Sequence, residues 1–258
     1  MSGILGVCHL GPTPYREGVA LQEALVRRCA QRRGASPAAD GEGLEAIGDW
    51  LLFPDHPPVL TVGRGGSEAS LRVGRAELAA RGVELFEVAR GGDMTWHGPG
   101  QLVGYPIVDL DRVGRDLHAY LRLLEEVLIE ALDGWGLPAG RVPGRTGVWV
   151  GEEKIASLGV AVRGWVGYHG FALNVAPDLA GFDLIHPCGL RGVRMTSLRE
   201  RLGDRAPTLA AARRTVAALL ERRLGYAAVR RVPAAMVRKL VPGIESHSAV
   251  HSEAHPAA

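Results

Sequence analysis

Three strand-like runs in the middle of the chain limit the possible folds more than any other feature. They read TGVWVG from Thr146, KIASLGVAV from Lys154 and HGFALNV from His169, and all are rich in β-branched and apolar residues. Short glycine-containing turns join them, and such turns connect neighbouring strands in the antiparallel sense. We therefore predict an antiparallel meander. A parallel-sheet fold would need a stricter alternation of strands and helices than this chain has.

The rest of the chain supplies helices and further strands. Strand-like patterns occupy residues 3–10 and 48–63, the run VELFEV and the run LVGYPIVDL. Apolar residues at helical spacing predict helices at 16–33, in RAELAARG, at 117–135 and in PTLAAARRTVAALLERRLG. The predicted fold class is α/β (α+β), with one domain over residues 1–242. Its mixed, largely antiparallel sheet would be flanked by helices, and a disordered tail would follow at 243–258.

Composition favours a cytoplasmic globular protein. Of the 258 residues 47% are hydrophobic, which is ample for a core, yet no apolar run approaches the length of about eighteen residues that a membrane span needs. The amino terminus lacks the basic start and apolar block of an export signal. Cys8, Cys29 and Cys188 are too scattered for a disulfide framework or a zinc site. Cys8 and Cys29 lie in apolar patterns and are expected to be buried and inert, whereas Cys188 stands between a proline and a glycine.

The charge is unevenly distributed. The formal net charge is +2, but residues 187–239 contain thirteen arginines or lysines against three acidic residues. One interpretation is a basic face that docks an acidic protein or nucleic acid. The other is that arginine-rich helices simply keep their outer sides solvated, and the sequence leaves both open.

A glycine-rich segment, RGGDMTWHGPGQ at 90–101, follows the strand-like VELFEV. Glycine lets the backbone approach a ligand closely, so the segment is expected to be a loop that forms a pocket wall. It contains no phosphate-binding G-x-x-x-x-G-K-[ST] motif, and nucleotide binding therefore has no support. Arg90 could orient an anion or brace the loop through carbonyl groups. His97 could act as a base, donate a hydrogen bond to a substrate carbonyl or tie down the loop; a metal-binding role is disfavoured because no second ligand lies nearby.

Lys154 stands out because lysine is scarce. Of thirty basic residues only Lys154 and Lys239 are lysines, so the chain uses arginine wherever a fixed charge suffices. An amine can release a proton and act as a base, which a guanidinium effectively cannot do. Lys154 could instead be a strand-edge lysine that reaches solvent. The chemical interpretation is favoured by Cys188, which lies 188 − 154 = 34 residues further on, beyond strands that could fold back.

A lysine beside a cysteine makes the thiol nucleophilic. A free thiol has a pKa of about 8.5, and a neighbouring ammonium favours the thiolate. A thiolate attacks thioesters and esters to give an acyl-enzyme, which a second nucleophile resolves. Cys188 and Lys154 are therefore the predicted catalytic pair. Backbone N–H groups near Gly189 or in the SLG turn could stabilise the oxyanion.

Five ordered motifs closely resemble those of the lipoyl (octanoyl) transferases, which move an octanoyl group from acyl carrier protein to lipoyl domains. They are RGGDMTWHGPGQLVGYP, EKIASLGVAV, HGFALNV, IHPCGL and MTSL. The resemblance covers residues 15–225, and weaker similarity in ALQEAL and HPPVLTVG agrees with it. The order and gaps of the motifs make the signal specific. The polar connection at 34–43 is longer than the usual connection of the family, and the histidine-bearing tail has no counterpart in it.

The resemblance implies a fold and a site. The family shares a single α/β domain with the biotin and lipoate protein ligases. Its PCG cysteine, here Cys188, carries the acyl thioester, and its KIA[AS]LG lysine, here Lys154, lowers the pKa of that cysteine. The residues implied to line the acyl pocket are Arg90, Gly91, Gly92, Asp93, Met94, Thr95, Trp96, His97, Ser157, Leu158, Gly159, Gly170, Phe171 and Ala172.

The resemblance also implies partners. Octanoyl-acyl carrier protein would be the donor, and lipoyl domains of 2-oxoacid dehydrogenases and the glycine cleavage H protein would be the acceptors. Neither ATP nor a metal would be needed, neither nucleic acid nor membrane would be bound, and the enzyme would be a monomer. Two rivals stay open. An ATP-dependent lipoate or biotin ligase would need no nucleophilic thiol, and a non-catalytic acyl-binding or scaffold protein would need neither Lys154 nor Cys188.

Overall fold

The computed structural model describes residues 3–32, 43–186 and 192–241. These residues form a sheet of eight strands and a sheet of three. The strands are β1 (Ile4–Pro12), β2 (Ile47–Asp55), β3 (Val59–Val62), β4 (Glu84–Glu87), β5 (Met94–His97), β6 (Gln101–Asp109), β7 (Gly140–Val142), β8 (Arg145–Val150), β9 (Glu153–Arg163), β10 (Val166–Asn174) and β11 (Ala228–Arg231). The α-helices are α1 (Tyr15–Arg32), α2 (Arg75–Ala80), α3 (Leu117–Gly134), α4 (Leu198–Leu202), α5 (Leu209–Leu224) and α6 (Ala234–Arg238).

The eight-stranded sheet has the order β11-β1-β2-β6-β10-β9-β8-β7. Strand β1 is parallel to both β11 and β2, and the other neighbouring pairs of this sheet are antiparallel. Strands β8, β9 and β10 follow one another as antiparallel neighbours, which confirms the predicted meander. A mixed, largely antiparallel sheet flanked by helices confirms the predicted fold class.

Helices cover both faces of the large sheet. Successive side chains of a strand point to opposite faces, so Leu51 of β2 packs in the core beneath α3 and α5, whereas Leu52 packs in the core beneath α1. Asp116 caps α3 by accepting hydrogen bonds from the backbone N–H groups of two first-turn residues. Helix α5 ends as predicted at Gly225, which has a left-handed φ of 67°.

Two predicted elements are wrong in detail. The run 48–63, predicted as one strand, divides into β2 of the large sheet and β3 of the small sheet. The division falls at Pro57 and Pro58, which have no N–H group to donate to a strand ladder. The glycine-rich loop contains β5, which pairs in antiparallel fashion with β3. The glycines on each side of MTWH concealed this short strand.

The small sheet, in the order β4-β3-β5, has its own core. Leu60, Met94 and Trp96 pack there against Phe182 and Leu184. Strand alternation directs Thr95 and His97 away from this core and towards the large sheet. The small sheet therefore stands as a wall opposite β9 and β10.

Candidate active site

A cleft lies between the small sheet and strands β9 and β10 of the large sheet. Its cavity volume is about 40 Å³, well below the roughly 300–1,000 Å³ of most small-molecule sites, so its two walls lie close together. The cleft wall contains all of the residues that the family resemblance implied for the acyl pocket except Gly91 and Trp96. The peptide N–H of Gly91 donates to the carbonyl of Val160 at 2.9 Å, and Trp96 turns into the core of the small sheet.

Three further residues, Tyr15, Tyr105 and His169, complete the wall of the cleft. Sequence reasoning missed them. A partial signal existed for His169 and Tyr105, because each is a polar group inside a run predicted as an apolar strand, where burial demands a hydrogen-bond partner. Tyr15 opens a helix near the amino terminus, and nothing around it in the sequence marks it.

Arg90 braces the glycine-rich segment from inside. Its guanidinium donates to the carbonyls of Gly91 at 3.1 Å, Asp93 at 2.8 Å and Thr61 at 2.9 Å, and to the Thr61 hydroxyl at 2.7 Å. The side chain also lies against Gly159, where a Cβ atom would come within 2.8 Å of Cδ of Arg90. Of the two roles considered for Arg90, the geometry therefore supports bracing.

His97 begins a line of hydrogen bonds that crosses three strands. Its Nδ1 atom lies 2.8 Å from Oε1 of Gln101, Nε2 of Gln101 lies 3.0 Å from Oδ1 of Asn174, and Nδ2 of Asn174 lies 2.9 Å from the carbonyl oxygen of Thr196. The Thr196 N–H in turn donates to the carbonyl of Lys154 at 2.9 Å. The cleft and the strand that carries Lys154 are thus joined through one network.

His56 supports the cleft from behind. Its Nδ1–H donates to the Thr13 carbonyl at 2.7 Å, and its Nε2 accepts from the Tyr105 hydroxyl at 2.7 Å. Burial lowers the pKa of His56 to about 4 and also lowers the pKa of His169 to about 4. Both rings are therefore neutral at pH 7.

The large-sheet wall is tightly packed and locally strained. Phe171 of β10 faces Gly104 of β6, where a Cβ atom would overlap the phenyl ring. His169 has a left-handed φ of 59° in the middle of β10, a conformation that non-glycine residues seldom adopt in a strand. At the next residue, Gly170, a Cβ atom would lie 2.5 Å from Cδ of Pro106, which has no N–H group for the ladder.

Lys154 lies further along β9, outside the cleft wall. Its side chain is only 2% exposed, which contradicts the alternative of a strand-edge lysine that reaches solvent. Nζ lies 5.5 Å from the centroid of the Trp149 ring, a distance at which a cation is attracted to an aromatic face. On the neighbouring strand, a Cβ atom at Gly147 would lie 2.5 Å from Cε and 3.1 Å from Nζ of Lys154. Gly147 and Trp149 thus form a slot for the amine.

Glu125 of α3 fixes one wall of this slot. Its Oε1 accepts a hydrogen bond from the Gly147 N–H at 3.0 Å. Its Oε2 accepts from Arg122 at 2.6 Å and from Arg141 at 2.8 Å, and the carboxylate is 1% exposed. Removing a buried partner of this kind leaves charged or polar groups unpaired, so Glu125 holds Gly147 firmly in place.

Cys188 lies outside the described residues, as do residues 34–42 of the polar connection and the tail at 243–258. Met195 forms a parallel bridge with Lys154, and the Lys154 N–H donates to the Arg194 carbonyl at 2.9 Å. Cys188 precedes Met195 by 195 − 188 = 7 residues, a stretch that spans at most about 25 Å. The contact between the Cys188 thiol and Lys154 therefore stays a prediction.

The other two cysteines are buried. Burial raises the pKa of the Cys8 thiol to about 11 and raises the pKa of the Cys29 thiol as well. Their predicted burial is confirmed, and a raised pKa favours the protonated, unreactive thiol.

The basic carboxyl-terminal third is largely paired with acidic residues from earlier in the chain. Arg222 and Arg223 form ion pairs with Glu130, and Arg238 lies 2.6 Å from Glu17. These contacts make the free positive charge smaller than the local count of the sequence suggests. Within the described residues, no group of three or more histidine, cysteine or acidic side chains is arranged to hold a metal ion. None of the helices there combines the length and apolar character needed to cross a bilayer.

The fold and the cleft define an α/β domain with a buried lysine on the strand that also forms one wall of the cleft. The chain belongs to the lipoyl protein ligase A/B catalytic domain family, whose model matches residues 14–221. It is 49% identical over 212 residues to the octanoyltransferase of Geobacter sulfurreducens, covering 82% of this chain and 81% of that protein. It is 48% identical over 213 residues to the octanoyltransferase of Rubrobacter xylanophilus, covering 82% and 90% of the two chains. The predicted family is confirmed.

Solved structures agree on the fold. Lipoate-protein ligase A bound with ATP superposes with a TM-score of 0.68 at 19% identity, covering 93% of this chain and 94% of the ligase. A bi-partite lipoate protein ligase from Thermoplasma acidophilum superposes with a TM-score of 0.66 at 19% identity, covering 93% and 92%. At this identity the likeness establishes the shared architecture alone.

Proposed function

We propose that this chain is an octanoyltransferase that moves an octanoyl group from acyl carrier protein to the lysine of lipoyl domains, the first step of endogenous protein lipoylation. The observation that carries the proposal is the 49% identity with a relative named octanoyltransferase over four fifths of the chain. The buried, slotted Lys154 supports it independently, because this residue is the amine that thiol-based transfer requires.

The first half-reaction loads the enzyme. The Cys188 thiolate attacks the carbonyl carbon of the octanoyl thioester, a carbon–sulfur bond to Cys188 forms, and the bond to the carrier sulfur breaks. The Lys154 ammonium gives its proton to the departing sulfur, so the carrier leaves as a thiol and Lys154 becomes a neutral amine. A positive charge beside Cys188 keeps the thiol ionised before attack.

The second half-reaction delivers the acyl group. The ε-amine of the acceptor lysine attacks the same carbonyl carbon, and the carbon–nitrogen bond forms while the bond to Cys188 breaks. Lys154 takes the proton of the amine, and the Cys188 sulfur leaves with the bonding electrons as a thiolate. The amide product departs, and the pair returns to its starting thiolate and ammonium forms.

The cleft is the proposed acyl pocket. Leu158, Phe171 and Ala172 give it an apolar wall, and Gly92 and Gly159 also line it. Burial of an acyl chain stabilises a complex by about 0.8 kcal/mol for each methylene group. Eight carbons therefore give several kcal/mol without any charged contact.

The remaining parts of the proposal concern context. The chain works as a monomer in the cytoplasm, through a catalytic domain at 1–242, with no ATP and no metal. Its donor is octanoyl-acyl carrier protein, and its acceptors are lipoyl domains of 2-oxoacid dehydrogenases and the glycine cleavage H protein. Neither nucleic acid nor a membrane takes part.

Intact mass spectrometry after incubation with octanoyl-acyl carrier protein, in the absence of ATP, tests the proposal. One added octanoyl group per chain, removable by hydroxylamine, is the expected result. The Cys188→Ser variant should acquire no hydroxylamine-sensitive adduct, and peptide mapping should find none on Cys8 or Cys29 in either protein. Wild-type protein that never acquires the group contradicts the proposal.

The fold likeness to an ATP-bound ligase defines the competing function. An ATP-dependent ligase would activate free octanoate or lipoate and would tolerate Cys188→Ser. The same assay with free octanoate and ATP in place of the carrier distinguishes the two. Acylation of a lipoyl domain by Cys188→Ser under these conditions would establish the ligase.

A further inference from the structure

The His97 imidazole is held in one tautomer by neighbours that the proposed mechanism does not use. We infer that His97 presents its Nε2 atom as a hydrogen-bond acceptor to the attacking amine of the acceptor lysine, and that Gln101 and Asn174 hold the ring for this purpose. The inference rests on the proposed function and concerns its second half-reaction.

The donor and the acceptor of each hydrogen bond in the line follow from the Thr196 carbonyl, which ends it. The carbonyl of Thr196 can only accept, so Asn174 donates to it through Nδ2 and leaves Oδ1 as an acceptor. Gln101 must then donate through Nε2, which also points at the Trp96 carbonyl at 3.3 Å. Its Oε1 is left to accept from Nδ1 of His97 at 2.8 Å. His97 therefore carries its proton on Nδ1.

A neutral ring with its proton on Nδ1 has a free lone pair on Nε2. Burial, with smaller contributions from His56 and Arg90, lowers the pKa of His97 to about 3, and the ring stays neutral at pH 7. Within the described residues Nε2 receives no hydrogen bond, and His97 lines the cleft. Nε2 can accept a hydrogen bond but cannot donate one. This removes donation to a substrate carbonyl from the roles considered for His97.

The hydrogen bonds that hold the His97 ring lead towards the strand that carries Lys154. Leu173 of β10 pairs with Ala156 of β9, and Asn174 is the next residue along β10. Asn174 is therefore level with the residue adjacent to Lys154, and it bonds Gln101, which bonds His97. The apolar residues Phe171 and Leu158 lie further from Lys154. The inference accordingly places the reacting carbonyl carbon between His97 and Lys154.

The chemistry of the reactants selects the donor. An octanoyl chain has no N–H or O–H group, whereas the acceptor lysine brings an amine whose nitrogen must point its lone pair at the carbonyl carbon. One N–H of this amine gives its proton to Lys154, and a second N–H can donate to Nε2 of His97 without transfer of the proton. Two fixed acceptors orient the nitrogen for attack.

Two substitutions at His97 separate this role from a structural one. In His97→Asn the amide can reproduce the Nδ1–H contact with Gln101, but it has no atom at the position of Nε2. In His97→Gln the longer side chain can place an amide oxygen near that position. Loading by octanoyl-acyl carrier protein and transfer from preloaded enzyme to a purified lipoyl domain are measured as separate single-turnover reactions. His97→Asn should load within about threefold of wild type but transfer about 10- to 100-fold more slowly, the effect of one lost hydrogen bond.

His97→Gln should recover most of the transfer rate. Equal losses in loading and transfer would overturn the inference, because they would indicate a structural role or a contact with the arm of the carrier. His97→Gln no better than His97→Asn would also overturn it. Failure of the wild-type protein to load would instead contradict the proposed function. Long-range ¹H–¹⁵N correlation spectra of wild-type protein give an independent test, with the His97 signals assigned by their absence from His97→Asn. A proton on Nε2 of His97 would refute the assigned tautomer.

Discussion

Arg90 and Lys154 are buried basic residues, Arg90 in the glycine-rich segment and Lys154 on β9, and they differ in what surrounds the basic group. The Arg90 guanidinium donates to three backbone carbonyls and one hydroxyl, an arrangement that uses its planar, fixed set of donors. The Lys154 amine instead lies in a slot between Gly147 and the Trp149 ring. The comparison teaches that this chain uses a permanent charge to fix backbone and has a titratable amine where the proposed mechanism needs a base.

Replacing the amine of Lys154 with a guanidinium should have the largest effect on octanoyl transfer. Lys154→Arg keeps the charge but supplies no accessible base, so octanoyl transfer should fall about a thousandfold, within the range for loss of a general base. Lys239→Arg, at the other lysine of the chain, is the matched control and should keep full activity. Steady-state transfer assays on both variants measure the difference. Full activity of Lys154→Arg would contradict the proposed role of Lys154 as a base.

Filling the lysine slot should have the next largest effect on activity. Gly147→Ala places a methyl group 2.5 Å from Cε of Lys154, so the amine must move and kcat should fall about 10- to 100-fold. Gly147 has a φ of 131° and Gly151, in the adjacent turn, has a φ of 61° with open space around it. Gly151→Ala therefore controls for backbone strain and should lower stability without loss of kcat. Matching kcat values for the two alanine variants would show that the slot does not position Lys154.

The reverse exchange, Arg90→Lys, should lower the stability of the fold more than it lowers the rate of octanoyl transfer. An ammonium at position 90 cannot satisfy the oxygens that Arg90 now reaches, so Arg90→Lys should lower the free energy of unfolding by about 2 kcal/mol. The exposed Arg64 provides the control, and Arg64→Lys should change stability by less than about 0.5 kcal/mol. Urea denaturation measures both. An unfolding free energy unchanged in Arg90→Lys would mean that the bracing hydrogen bonds contribute nothing.

The buried histidines extend the comparison to groups that stay uncharged. His56, His97 and His169 have pKa values lowered to about 4, 3 and 4 in the folded protein, against about 6.5 for an unfolded chain. Below pH 6.5 the unfolded chain binds protons that the native protein does not. The stabilisation is therefore complete above pH 6.5 and is lost as the pH falls towards 4. Each of the three histidines should lower the free energy of unfolding by about 2 kcal/mol between pH 7 and pH 5.

Urea denaturation at several pH values measures the slope of the free energy of unfolding against pH. Asparagine tolerates left-handed backbone, so His169→Asn removes the titrating group while keeping the φ of 59°. The slope of this variant should be shallower than that of wild type by about one third of the histidine contribution. Parallel slopes would show that His169 is not buried in its neutral form.

Local patterns in the sequence predicted much of the fold. The meander, the long helices and the exit of α5 at Gly225 depend on periodicity and turn residues within a few positions. The division between β2 and β3 depends on which sheet each segment joins, and short β5 owes its existence to pairing with β3. Such long-range pairing leaves no local pattern to detect.

The residues of the candidate site likewise divide into those that local sequence marks and those that only long-range contacts reveal. Arg90, His97 and Lys154 stood out by residue type and context, because each is a polar group in an unusual position. Glu125 and Gly147 did not, since their importance lies in contact with each other and with Lys154. Tyr15 comes to the cleft from the first helix, a position that follows only from the packing of α1 on β6 and β10.

The pH dependence of Cys188 alkylation tests the central claim most directly. Iodoacetamide labelling with peptide mapping follows each thiol separately, and the buried Cys8 and Cys29 should stay unlabelled in the native protein. If the Lys154 ammonium ionises the Cys188 thiol, wild-type Cys188 should react with a midpoint well below the usual pKa of about 8.5, and Lys154→Met should raise that midpoint by at least about one unit. The same midpoint in both proteins would contradict the pairing of Lys154 with Cys188.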